Sequence, residues 1–66
     1  MICRVRRFIL TVEGPNWTDS YEVELAALPN EGEPIETRYG TCLVTKAEPL
    51  PDGSRFAGKV VCRYPA

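Results

Sequence analysis

The sequence predicts a small all-β domain: a five-stranded SH3-like barrel or, as alternatives, an OB-like barrel or a strongly bent antiparallel sheet. Turn-forming residues recur along the whole chain, and short segments rich in β-branched and aromatic residues lie between them. No segment keeps a helical hydrophobic period. Because no linker divides the 66 residues, we expect residues 1–66 to form a single small β-barrel domain. Closing the barrel would protect the edges of so small a sheet.

The first two strands are predicted to pair as a hairpin. The five candidate strands cover residues 3–13, 19–26, 34–38, 42–48 and 55–63. In the favoured register Leu10 lies opposite Val23, because every large apolar side chain then shares one face. The other pairs on that face are Val12 with Tyr21 and Phe8 with Leu25. A slip of one residue would set Leu10 opposite Glu22, which a buried face excludes.

The first strand also changes its apolar parity. Cys3 and Val5 stand at odd positions, whereas Phe8 stands at an even one. This change predicts a β-bulge at Arg6–Arg7, where the strand would bend and serve two sides of the barrel.

Two turns organise the second half. Tyr39-Gly40 predicts a tight turn with a positive φ at Gly40. Residues 51–53, Pro-Asp-Gly, predict a three-residue loop in which the glycine accepts the left-handed conformation. That loop would set Cys42 opposite Cys62 and Val44 opposite Val60.

The same register has one conflict, because it turns Lys46 toward the core. We therefore expect a bulge near Thr45, after which Ala47 replaces Lys46 in the core. Gly58 is expected where the last strand bends sharply.

The three cysteines, Cys3, Cys42 and Cys62, predict free thiols. Their number is odd, and no C-x-x-C spacing is present. Cys42 and Cys62 are expected to be buried on neighbouring strands, with Cys3 remote from both. The N-terminus lacks the apolar run of a signal peptide, and apolar stretches such as Phe8–Leu10 are too short to span a membrane. We therefore expect a cytoplasmic protein.

Residues that could carry catalysis are scarce. The sequence contains no histidine, so the most frequent general base and metal ligand is missing. The glycines are isolated and form no phosphate-binding loop. Glu22 and Glu24 are predicted to face outward, where carboxylates are normally solvated. The sequence therefore predicts a protein that is not an enzyme, with no catalytic, cofactor-binding or metal-binding residues.

The charges are unevenly spread. Residues 1–12 carry three arginines and no acid, and residues 13–36 carry seven acids and no base. Mixed charges usually solvate a surface, but this pattern could also pair an acidic stretch of one chain with a basic stretch of another. A homodimer formed across a free strand edge is one expectation.

Trp17 is the most conspicuous side chain outside the predicted strands, because it lies in a polar loop. It is expected either to cover one end of the barrel as a lid or to mark a partner site. The candidate partner-binding residues are Trp17, Arg4, Arg6, Arg38 and Tyr39.

The predicted function is therefore a small accessory module, from a bacterium or phage, that binds a protein partner or itself. The segment from Leu28-Pro29 through Gly40 to Ala47 resembles the pattern of many small bacterial β-barrels, which names no family. The alternative function is single-stranded nucleic-acid binding, which small barrels perform with aromatic residues and a basic groove. A sequence pI near 5.3 disfavours that alternative.

Overall fold

The protein is a single mixed sheet of five strands that curls into a half-barrel. The structure is a computed structural model that describes residues 5–51 and 53–65. The strands are β1 (Arg6–Glu13), β2 (Thr18–Leu25), β3 (Pro34–Thr37), β4 (Gly40–Pro49) and β5 (Gly58–Arg63), in the order β2-β1-β5-β4-β3. The predicted all-β, barrel-like fold is confirmed. The predictions for Cys3 and Arg4 lie outside the described residues.

β1 and β2 form the expected antiparallel hairpin, but the predicted register is wrong by two residues. Leu10 lies opposite Tyr21, and Phe8 lies opposite Val23. A slip of two residues keeps every side chain on its predicted face, so the apolar alternation could not distinguish the two registers. The predicted bulge at Arg6–Arg7 is also wrong, because the pairing with β2 is regular from Arg6 onward.

β1 also pairs with β5, and this pair is parallel, from Phe8 opposite Gly58 to Glu13 opposite Arg63. The sheet is therefore mixed, unlike the antiparallel version of the prediction. β1, β5 and β4 occupy its interior, whereas β2 and β3 form its two edges.

The bulge predicted near Thr45 is confirmed by a register shift between Val44 and Lys46. Lys46 is exposed and forms an ion pair of 3.3 Å with Glu48, and Ala47 packs against the core. The bulge thus resolves the conflict that a regular β4 would have created by burying a lysine.

The connection between β4 and β5 is longer than predicted. Gly53 has the expected positive φ of 89°. The strand pairing, however, ends at Pro49 opposite Gly58, so the loop is not a three-residue hairpin loop. As a result Val44, and not Cys42, lies opposite Cys62. The direct Cys42–Cys62 pairing was wrong because it depended on that loop length.

The core lies on the concave side of the half-barrel. Its buried side chains come from β1, β4 and β5: Phe8, Leu10, Val12, Cys42, Val44, Val60 and Cys62. The apolar residues of β2 are only half-buried against this core. Gly58 permits the close packing, because a Cβ there would lie 2.9 Å from both the Phe8 ring and the Glu48 carbonyl oxygen. The part of the chain described here contains no helix that could span a membrane.

Candidate functional site

The strand directions place different loops at the two ends of the half-barrel. One end gathers the last residues of β1, β3 and β5 and the first residues of β2 and β4. This end carries four aromatic side chains, Trp17, Tyr21, Tyr39 and Tyr64, and we call it the aromatic end. The opposite end carries three arginines, Arg6, Arg7 and Arg55, around an open cleft that we call the arginine cleft.

Trp17 is half-buried and covers the core at the aromatic end. Its ring centroid lies 4.6 Å from that of Tyr39 and 6.3 Å from that of Tyr64, with tilted planes in both pairs. Centroid separations of this size are typical of favourable aromatic pairs. Trp17 therefore takes the lid position that was one of its two expected placements.

Gly14 makes room for this lid. A Cβ at Gly14 would collide with the indole ring of Trp17. The loop is also tied by a hydrogen bond of 2.8 Å from the Gly14 amide to the Trp17 carbonyl oxygen. The indole thus packs directly on the backbone that precedes it.

The aromatic end also joins the two edges of the sheet. The Tyr39 hydroxyl donates a hydrogen bond of 2.5 Å to a carboxylate oxygen of Asp19. The Arg38 amide donates to the Tyr21 hydroxyl at 3.1 Å, and the Arg38 guanidinium carbon lies 3.8 Å from the centroid of the Tyr21 ring. We call these four residues the clasp, since they connect β2 to the turn between β3 and β4.

The hydrogen bond to Asp19 is the main cause that raises the pKa of Tyr39 above its usual value. The bond needs the phenolic proton, and the nearby carboxylate charge disfavours a phenolate. The clasp therefore favours the protonated form of Tyr39, which is the form that donates to Asp19.

The predicted partner-binding residues fall into two groups. Trp17, Arg38 and Tyr39 come together at the aromatic end. Arg6 lies in the arginine cleft at the other end. The prediction for Arg4 is outside the described residues. The sequence interpretation missed Asp19 and Tyr21, because their partners stand 20 and 17 positions away along the chain.

The free edge of β2 is a second surface feature. β2 runs for eight residues without proline, and none of its backbone groups bonds to a described segment on the side away from β1. Tyr21, Val23 and Leu25 are half-buried on the concave face, and Glu22 and Glu24 are exposed on the convex face. The β3 edge is shorter, at four residues, and begins with a proline.

The arginine cleft has a volume of about 570 Å³. Arg6 and Arg7 enter it from the start of β1, and Arg55 and Phe56 from the connection between β4 and β5. The walls are tied by hydrogen bonds from the Ala57 amide to the Arg7 carbonyl, at 2.8 Å, and from the Leu50 amide to the Ala57 carbonyl, at 3.1 Å. The cleft thus combines cationic groups and one aromatic ring on a hydrogen-bonded frame.

The thiols of Cys42 and Cys62 are free and fully buried. Burial, followed by the neighbouring Cys42 thiol, raises the pKa of Cys62 to about 12. A thiol becomes a nucleophile or a metal ligand by losing its proton, so this environment opposes both roles. Within residues 5–51 and 53–65, no group of three acidic, cysteine or histidine side chains could hold a metal ion.

Comparisons of this chain with family models, curated proteins and solved structures found no match.

Proposed function

We propose that this protein is a non-enzymatic interaction module that binds an extended segment of a protein partner along the free edge of β2. The observation that carries the proposal is this eight-residue edge, with its apolar concave face and acidic convex face. A free edge accepts an added strand through main-chain hydrogen bonds, and alternate side-chain positions supply the specificity.

The two faces of β2 define the chemistry of the partner segment. In an added strand, alternate side chains would lie beside Tyr21, Val23 and Leu25 and cover their exposed surface. The intervening side chains would lie beside Glu22 and Glu24, where lysine or arginine is favoured. The partner segment is therefore an extended strand that alternates apolar and basic residues.

A second copy of the chain would meet like charges in two of the symmetric registers of this edge. Two β2 strands could pair as a symmetric antiparallel pair with their apolar faces inward. If this pair is centred on Glu22, the two Glu22 side chains lie opposite each other. Centring on Val23 sets Glu22 opposite Glu24 of the copy. Like charges directly opposite each other destabilise a strand pair. The other edge, β3, carries exposed Glu36, and the arginines of β1 belong to an interior strand. These two registers are therefore disfavoured, and the proposal commits to a different protein, with a basic strand, as the partner.

The clasp borders one end of this edge. Tyr39 is 37% exposed and contacts Asp19 at the start of β2, and exposed Arg38 contacts Tyr21. Both side chains therefore belong to the proposed surface, and Trp17 supports Tyr39 from the core side. Arg6, at the other end of the molecule, contributes to a separate surface.

The experiment measures binding of eight-residue peptides, which match the length of β2. One peptide alternates valine and lysine, and a second has the same composition with the valines and lysines in two blocks. We expect the alternating peptide to bind and to shift the backbone amide NMR signals of residues 18–25. The block peptide should bind much more weakly, because it cannot present lysines on one face alone.

The matched variants are Glu22→Lys/Glu24→Lys and the control Glu31→Lys, which changes an exposed loop residue. Only the double variant should lose binding to the alternating valine–lysine peptide. The same variant should gain binding to a peptide that alternates valine and glutamate. The same pair of variants, used as baits in the native host, would separate the true partner from background by mass spectrometry. Equal binding of both peptides, or an unchanged double variant, would contradict the proposal. A concentration-dependent dimer in analytical ultracentrifugation that persists in the double variant would show that another surface mediates self-association.

A further inference from the structure

We infer that the arginine cleft is a binding site for single-stranded nucleic acid. Arg6, Arg7 and Arg55 would contact the phosphate groups, and Phe56 would stack on a base. This inference is independent of the proposed strand-edge function, because it rests on residues at the start of β1 and in the connection between β4 and β5.

The cleft concentrates positive charge on a chain whose net charge is −1. The three arginines come from two distant segments of the sequence, and the fold brings them to one concavity. All three are exposed, and none forms an ion pair with a described carboxylate. Glu24 lies opposite Arg7 in the strand pair, but their side chains are not within ion-pair distance. The connection between β4 and β5 also contains Asp52, which lies outside the described residues. The three arginines therefore outnumber the single acid in the start of β1 and this connection.

Guanidinium groups suit phosphate particularly well. Each presents several N–H donors in a planar fork that binds two phosphate oxygens at once. A cleft of about 570 Å³ is also within the size range of small-ligand sites, so it can accommodate a nucleotide unit. Because the cleft is open, the chain of a nucleic acid can continue beyond the site in both directions.

Phe56 distinguishes nucleic acid from other polyanions. Its half-buried ring lines the cleft beside Arg55. Single-strand-binding proteins commonly combine a basic groove with aromatic rings on which bases stack. An acidic peptide would use the arginines but would gain little from the ring. A duplex hides its base faces within the stack, so it could not use Phe56 either.

The experiment measures fluorescence polarisation of labelled ten-nucleotide oligo(dT) and oligo(U) at low salt, with inorganic polyphosphate and poly(glutamate) as competitors. We expect saturable binding of the oligonucleotides that weakens as salt increases. If the arginines contact three phosphates, a plot of the logarithm of the binding constant against the logarithm of the salt concentration should have a slope of about −2. Duplex DNA should bind more weakly than the single strands.

Three variants separate the contributions. Arg6→Glu/Arg55→Glu should abolish binding, whereas Arg63→Glu, an exposed arginine at the opposite end of the sheet, should leave it nearly unchanged. Phe56→Leu keeps an apolar side chain without the aromatic ring, so it should weaken oligonucleotide binding several-fold but leave polyphosphate binding intact. Circular dichroism and thermal unfolding confirm that each variant is folded.

The inference is overturned if wild-type protein binds no oligonucleotide at low salt. It is equally overturned if Phe56→Leu binds as wild type does while poly(glutamate) competes as well as oligo(dT), which would identify an acidic protein as the ligand. Glu22→Lys/Glu24→Lys should retain oligonucleotide binding, so failure of the strand-edge proposal would not affect this result.

Discussion

Cys42 and Cys62 occupy fully buried positions in the core. The Cys42 thiol lies 3.3 Å from the Thr37 hydroxyl oxygen. Burial disfavours the charged thiolate, so the pKa of Cys62 is raised to about 12. At this scale the environment makes a potentially reactive residue behave as a small apolar one.

The raised pKa of Cys62 predicts a loss of stability at alkaline pH. The unfolded chain releases the thiol proton near pH 9, whereas the folded chain holds it until about pH 12. The contribution to stability is therefore complete well below pH 9, begins to fall about one unit below it and declines further as the pH rises toward 12. Urea unfolding of wild type should show a falling free energy of unfolding between pH 8 and about 9.5, a window below the reference pKa of a tyrosine side chain, about 10. Cys62→Ala should lower stability at every pH but flatten this decline. An equally steep decline in Cys62→Ala would refute the assignment.

The β1–β2 hairpin shows how alternation determines faces without determining register. Phe8, Leu10 and Val12 are buried as predicted, and Tyr21, Val23 and Leu25 pack against the core. The loop from Gly14 to Trp17 sets the register, with Glu13 opposite Thr18. The Trp17 ring packs on Gly14 within that loop, and the apolar alternation of the two strands does not specify this packing.

Leu10→Ala tests the burial of β1. Leu10 is 1% exposed at the centre of the core, so the substitution leaves a cavity as well as removing apolar contacts. We expect a loss of about 2–5 kcal/mol in the free energy of unfolding. Ser20→Ala, on the exposed face of β2, should stay within about 0.5 kcal/mol of wild type. Chemical denaturation measures both, and equal effects of the two substitutions would contradict the burial of β1.

At the scale of the whole molecule, side chains connect one edge of the sheet to the turn beside the other edge. β2 and β3 are the two edges of the sheet, and no backbone ladder joins them in the described structure. The clasp connects β2 to the β3–β4 turn instead, through side chains that converge at the aromatic end. The clasp uses side chains of β2 and leaves its outer backbone groups free, and this edge is the one that we propose for partner binding.

Gly14→Ala tests the support of the clasp. The added methyl group would collide with the Trp17 ring, so the indole must move away from the core. Since Trp17 is the single tryptophan of the sequence, its fluorescence reports this movement directly. We expect red-shifted emission, a lower unfolding temperature and faster amide hydrogen exchange at Arg38, whose amide bonds to Tyr21. Asn16→Ala, in the same loop and exposed, should change none of these, and unaltered emission in Gly14→Ala would disprove the packing.

Local patterns in the sequence were sufficient to predict several elements. Alternation predicted the buried face of β1, and the conflict at Lys46 predicted the bulge, because a lysine without a partner is too costly to bury. Turn chemistry predicted the positive φ of Gly40 and Gly53. Each of these predictions depends only on interactions between residues that are a few positions apart in the sequence.

The tertiary structure alone decided the contacts between distant segments. The parallel β1–β5 pair joins the two ends of the chain, and the meeting of Arg6 with Arg55 depends on it. The contacts of Tyr39 with Asp19 and Trp17 likewise depend on how far the sheet curls. Alternation repeats every two residues, so it assigns faces but not which strands become neighbours. The sequence by itself thus determined what is buried, and the packing of the complete sheet determined which exposed residues form the candidate surfaces.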